Sequence, residues 1–196
     1  MEMMEILPAI DISSLKIIEL LHPVVKYRYP NNEEMPFEVN QLSKTDQWQN
    51  DEQLISKYIT ITTSIQKMKI LHFANLEILV KKLSSRDVNY LRTNLLESTA
   101  FQKFKISFWK SKIDESIHQM IGEPYRNFSD LKKVWYFRIP NTDYYIHIVL
   151  DMRDVKDAHD NLRPKLIIFT RVAKEDTPFF EEPRNQLVDN QSVVIM

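Results

Sequence analysis

The chain has 196 residues, with 26 Lys and Arg against 27 Asp and Glu, 43% apolar residues, a single glycine and no cysteine. Average usage of about 7% glycine would give roughly 14 in this length, so a lone Gly122 leaves no P-loop, dinucleotide-binding turn or Gly-x-Ser-x-Gly elbow. Without cysteine there are no disulfides, thiolate metal sites or cysteine nucleophiles, and a net charge of −1 argues against a surface that tracks nucleic acid throughout.

The length predicts one domain with a tail. No apolar run approaches the roughly 18–20 residues of a membrane helix. The start Met1-Glu2-Met3-Met4-Glu5 lacks the basic region and cleavage site of a secretory signal. A soluble cytoplasmic protein, with no membrane insertion, is expected.

In chain order, Ser13 or Ser14 can cap a short helix over residues 15–21, which Pro23 stops. Residues 24–29 alternate and predict a strand. Residues 31–50 are polar and read as a long loop with a short strand at 37–39, anchored by Phe37, Val39 and Trp48. Leu54, Tyr58, Ile61, Ile65, Met68 and His72 then step by 4, 3, 4, 3 and 4, and no proline intervenes. That spacing predicts one long helix over 52–83, capped by Asp51; the β-branched run from Ile59 to Thr63 dissents locally.

A second helix follows Ser84, with Ser85 as cap, Asp87 in the first turn, and Val88, Leu91 and Leu95 as its buried line, ending near Ser98. Residues 101–121 read either as helix, or as a strand at 103–109 followed by a helix capped by Ser111 with Asp114. Gly122 and Pro124 end the segment in both cases. From Val134 the period becomes two. Residues 134–139 and 144–150 flank Pro140-Asn141-Thr142-Asp143 as a hairpin, and 165–172 form a third strand, with 166–169 buried on both faces. Residues 174–196 are acidic and aperiodic, and read as a flexible tail. No internal repeat is evident.

The fold expected is α+β: a helical N-terminal and central region packed on a small, mainly antiparallel sheet from the C-terminal third. Residues 1–173 form a single domain and 174–196 a flexible acidic tail.

Asp151, Asp154, Asp157 and Asp160 recur every third residue beside His159, a set suited to a divalent cation. Arg153, Lys156 and Arg163 cancel that charge, so a solvated loop and no metal site are expected. None of His22, His72, His118, His147 and His159 falls in a zinc-hydrolase motif. His72 sits on an apolar line and reads as a core residue. His147, in the tyrosine-rich hairpin, is the candidate general acid or base.

Lys132, Lys133, Arg138, Arg153 and Arg171 flank or lie on the predicted strands. With Trp135, Tyr136, Tyr144 and Tyr145 they make an aromatic, cationic face suited to stacking bases or anchoring a protein. Phe179 and Phe180 stand in an acidic segment suited to a partner's groove. If 103–108 is a strand, the order strand, helix, hairpin, strand resembles the layout of small RelE/ParE-type toxins. That resemblance implies a metal-independent endoribonuclease with Arg138, His147 and Arg171 as catalytic candidates.

The leading expectation is a non-enzymatic protein-interaction or regulatory protein, acting through its hairpin face, a helix face or the tail. Trp135, Tyr136, Tyr144, Tyr145, Phe179 and Phe180 are its binding residues. A protein partner is expected, with RNA as the alternative ligand and no cofactor.

Overall fold

The computed structural model describes residues 16–21, 36–129, 131–156 and 162–179. In these residues the chain forms β1 (Ile17–Glu19), β2 (Pro36–Phe37), α1 (Asp46–Asn50), β3 (Gln53–Ile61), β4 (Asn75–Ser84), α2 (Ser85–Leu95), β5 (Lys103–Lys112), α3 (Ser116–Ile121), β6 (Arg126–Ser129), β7 (Lys132–Arg138), β8 (Tyr144–Asp151) and β9 (Lys165–Ala173). The strands join in one mixed sheet of order β1-β3-β4-β5-β9-β8-β7-β6, with β2 also on β3. The pairings among β1 to β5 are parallel and those from β5 to β6 through β9, β8 and β7 antiparallel.

This overturns the expected α+β arrangement. The N-terminal and central region is not a helical layer on a small sheet; it is the parallel half of a large one. The helix expected over 52–83 is two strands, β3 and β4, joined through a 3-10 turn at Ile65–Lys67. The cause is a bulge. Leu54 and Ser56 are buried, the pairing with β4 slips between Ser56 and Thr60, and beyond the slip the fully buried Ile61 pairs with Val80. The slip flips the parity of the strand. Core positions then fall seven residues apart at 54 and 61, which imitates a helical period. The β-branched run marks the true state. Ile17–Glu19 pairs with β3 as β1 where a short helix is expected. Of the short strand expected at 37–39, only Phe37 is strand, paired within Pro36–Phe37. The strand expected at 24–29 lies outside the described residues.

The parallel half is a short solenoid that the sequence does not announce. The Lys16 carbonyl accepts the N–H groups of Glu52 and Gln53, that of Glu52 those of Ala74 and Asn75, and that of Ala74 those of Gln102 and Lys103. One turn thus opens β3, β4 and β5, at steps of 22 and 28 residues. Leu54, Leu76 and Phe104 stack in register and are buried, as are Ser56, Ile78 and Ile106. Each coil stacks its apolar row on its neighbours', as repeat architectures do.

The helix after Ser84 forms as expected, with Val88, Leu91 and Leu95 buried, but its cap is Ser84 rather than Ser85. Ser84 and Asp87 complete a reciprocal capping box. The Ser85 hydroxyl instead donates to Asp114 (3.2 Å). The ambiguous segment is strand then helix, and α3 begins at Ser116, where the Asp114 carboxylate accepts the N–H and hydroxyl of Ser116. Gly122 ends α3 at φ 85°, a conformation glycine adopts freely. The hairpin β7–β8 and the strand β9 also form, although β9 buries only Ile167 and Phe169 fully rather than both its faces.

One core runs along one side of the sheet. Trp48 of α1, Val88, Leu91 and Leu95 of α2, and Ile117 and Ile121 of α3 join Leu54, Ile78, Phe104, Ile148 and Phe169 of the strands. The Trp48 indole N–H, 3.1 Å from the Met68 carbonyl, ties α1 to the β3–β4 crossover. Burying each large apolar side chain contributes about 1.5–3 kcal/mol.

Candidate functional site

Because the described helices share one face of the sheet, the register of the antiparallel half decides what the other face presents. Trp135 pairs with Ile148, Phe137 with Ile146, and Ile148 with Phe169; these side chains lie on the core side. Tyr136 pairs with His147, Arg138 with Tyr145, and His147 with Thr170, so these residues lie on the opposite face. Val149 and Ile168 continue that face toward Lys105 of β5. Among the described residues no helix covers it.

An aromatic cluster occupies the hairpin end of this open face. Tyr136 and His147 stack with ring centroids 4.6 Å apart and planes 9° from parallel. Tyr125, in the connection after α3, meets Tyr136 edge-on at 5.6 Å. Phe179 meets Tyr125 at 4.9 Å and Tyr136 at 5.7 Å, both edge-on, and lies 6.1 Å from Tyr145. Phe179 reaches them because the chain turns back after β9. Lys174 N–H donates to the Asp143 carbonyl at the hairpin turn, and Thr177 folds onto the Lys174 carbonyl in a 3-10 turn. Burial pushes the His147 imidazole below its usual pKa and the Tyr136 phenol above its own, so both rings are neutral near pH 7.

Cations frame the cluster. Lys132, Arg138 and Lys105 lie on the open face by register, and Arg126 and Lys132 sit over the ring of Phe128 at 5.4 and 5.5 Å. The acidic groups of this face are engaged. Glu77 bridges Lys105 (2.9 Å) and Lys57 (3.5 Å). Burial pushes the Glu77 carboxyl up, but hydrogen bonding and charge from Lys105, joined by Lys57, leave it below its usual range. Arg153 grips Asp151 through Nε and an Nη nitrogen (2.8 and 2.5 Å).

The expected site residues separate accordingly. Tyr136, Tyr145 and Phe179 come together. Tyr144 is exposed at the start of β8, with the Arg171 guanidinium 4.6 Å above its ring. Trp135, an expected binding residue, is in the core instead; its N–H donates to the Gly122 carbonyl (3.0 Å). Phe180 lies outside the described residues, as do His22, Asp157, His159 and Asp160. The catalytic candidates do not converge. Arg138 and His147 share the open face, whereas Arg171 pairs with the buried Ile146 and so belongs to the other side.

Two features escape the sequence reading. Tyr125 follows Pro124 outside any periodic element, so nothing marks it as part of a face. His118 forms a polar cavity of about 520 Å³ with Glu115, Gln119, Glu123, Asn127 and Lys133. Lys133 donates to His118 Nε2 (2.9 Å), and Glu123 lies 3.1 Å from Nδ1. The Glu115 and Glu123 side chains are 93% and 82% exposed, so these contacts are solvated and of little energetic weight.

Comparison with known proteins adds one finding. Residues 1–122 match the FTH domain, a segment that carries the parallel coils and α3. No curated protein and no solved structure matches the chain.

Proposed function

Since the chain belongs to the FTH domain family, we propose that it is a non-enzymatic protein-interaction module that docks a protein partner on its open sheet face. The observation that carries this reading is the ring cluster of Tyr125, Tyr136, Tyr145 and His147, framed by cations on a face that no described helix covers. Aromatic and arginine side chains dominate binding energy at protein interfaces. The FTH domain is associated with F-box protein interaction, which supports the same partner class. The open face joins strands of the family-matched segment to the hairpin, so partner contact would span both.

The test is differential capture from an extract of the native source. The chain, its Tyr136→Ala/Tyr145→Ala variant and a helix-side Arg86→Ala/Thr93→Ala variant serve as baits. A protein retained by the first and third and lost by the second supports the reading. Equal capture by all three removes the open face as the interface. RNA cleavage in chelator by the purified chain would overturn the non-enzymatic reading.

A further inference from the structure

Phe179 shows what kind of side chain the open face accepts. We propose that the face takes an acidic segment with an aromatic anchor, and that residues 174–179 of the chain are an internal copy of that ligand, competing for the site. This deepens the docking reading above and rests on it.

The geometry has three parts. The Phe179 ring makes edge-on contacts with Tyr125 and Tyr136 and a tilted one with Tyr145, an arrangement that aromatic quadrupoles favour. It nevertheless stays 46% exposed, so it is seated on the face rather than built into the core. The residues leading to it include the exposed Glu175 and Asp176, and Arg138 lies on the same face at the hairpin end, opposite Tyr145. An aromatic anchor and exposed acidic side chains therefore occur together in one strap, beside a face that carries Arg138.

Tethering makes the strap a strong competitor for a weak ligand. It leaves the sheet at Ala173, six residues before Phe179. Short tethers supply effective concentrations on the order of millimolar. A ligand of about 100 μM intrinsic affinity would then be displaced from the intact chain by roughly tenfold, because only the fraction with a vacant face binds. A partner whose anchor packs better than Phe179, or that brings further acidic groups, displaces the strap.

The experiment uses the full-length chain and a labelled synthetic peptide of sequence Lys-Glu-Asp-Thr-Pro-Phe-Phe-Glu-Glu, corresponding to residues 174–182. Binding is read by fluorescence anisotropy. The peptide should bind Phe179→Ala about tenfold or more tightly than the unaltered chain. Adding Tyr136→Ala or Tyr145→Ala to Phe179→Ala should abolish binding, as should Ala at both phenylalanines of the peptide. Raising salt should weaken binding. Melting curves confirm that each variant is folded. Equal affinity for the unaltered chain and Phe179→Ala, binding that survives loss of either tyrosine, or no binding to Phe179→Ala each overturn the inference. If capture of a native partner still depends on Tyr136 and Tyr145 in those cases, the docking reading stands without it.

Discussion

The imidazole of His147 lies flat on the phenol ring of Tyr136, 4.6 Å between centroids. Two adjacent strands thus contribute one continuous aromatic surface to a solvent-facing side of the sheet. The stack involves a neutral imidazole, because burial pushes the His147 pKa down. His72 is also pushed down by burial, partly offset by its bonds to the Trp48 and Lys69 carbonyls.

Both histidines make the fold acid-sensitive in one direction. The unfolded chain takes up protons on histidine near pH 6.5, whereas the folded rings take them up only at lower pH. Between these points the unfolded state binds more protons, so stability falls as pH drops. Thermal melts from pH 7.5 to 5 should show a falling Tm, and His147→Phe should flatten part of that slope while His72 sustains the rest. A Tm that is constant or rises on acidification contradicts the assignment.

Trp135 and Tyr136 are neighbours in β7 with opposite fates. Trp135 is 1% exposed and hydrogen-bonded to Gly122; Tyr136 faces outward. Trp135→Ala should cost about 3–5 kcal/mol, read as a large loss in urea midpoint. Tyr136→Ala should change stability far less and act on partner binding. Comparable destabilisation by the two would show that the facing of β7 is wrong.

Asp51 occupies the position in its coil that Phe73 and Phe101 hold in the next two. It is 3% exposed, and neither carboxylate oxygen has a hydrogen-bond partner among the described residues. Burial pushes its pKa up, opposed by the charge of Lys16. Because the folded pKa lies above the unfolded one, ionised Asp51 costs stability at neutral pH, and that cost fades as pH falls through the folded value. Asp51→Asn should therefore stabilise the chain at pH 7 by on the order of 1 kcal/mol, with the gain vanishing in acid. Destabilisation at pH 7 would mean that the carboxylate is doing structural service.

The capping box of α2 gives a smaller effect. Ser84→Ala should lower stability by about 1 kcal/mol, and Ser85→Ala by less, since the cap is Ser84. The reverse ranking would place the helix start one residue later.

Short, chemically marked signals in the sequence are the legible ones. Gly122 with Pro124, and Pro140-Asn141 between β-rich runs, each mark a boundary through a backbone requirement, with Asn141 at φ 58°; the start of α2 is legible only to within one residue, since the cap is Ser84 and not Ser85. What failed was the inference from apolar spacing over 52–83. A bulge in β3 combined with a 3-10 turn reproduces the helical period; the β-branched run at 59–63 is the one local sign against it, and pairing with β4 and β5 decides the state. The repeat was hidden because it resides in backbone hydrogen bonds at Lys16, Glu52 and Ala74, while the side chain at the shared position changes from Asp51 to phenylalanine. Half of the site was legible as well. Composition points to Tyr136, Tyr145 and Phe179, but facing separates them from Trp135, and facing depends on register.

Docking on the open face puts the partner against Tyr145 rather than against the helix side of the sheet. Site-specific photocross-linking tests it most directly, with a photoreactive amino acid placed at Tyr145 in one form of the chain and at Thr93 of α2 in another, both in extract of the native source. Position 145 should give one discrete protein adduct, suppressed by excess unlabelled chain, and position 93 none. An adduct from position 93 with none from 145 would place the interface on the helices and contradict the account.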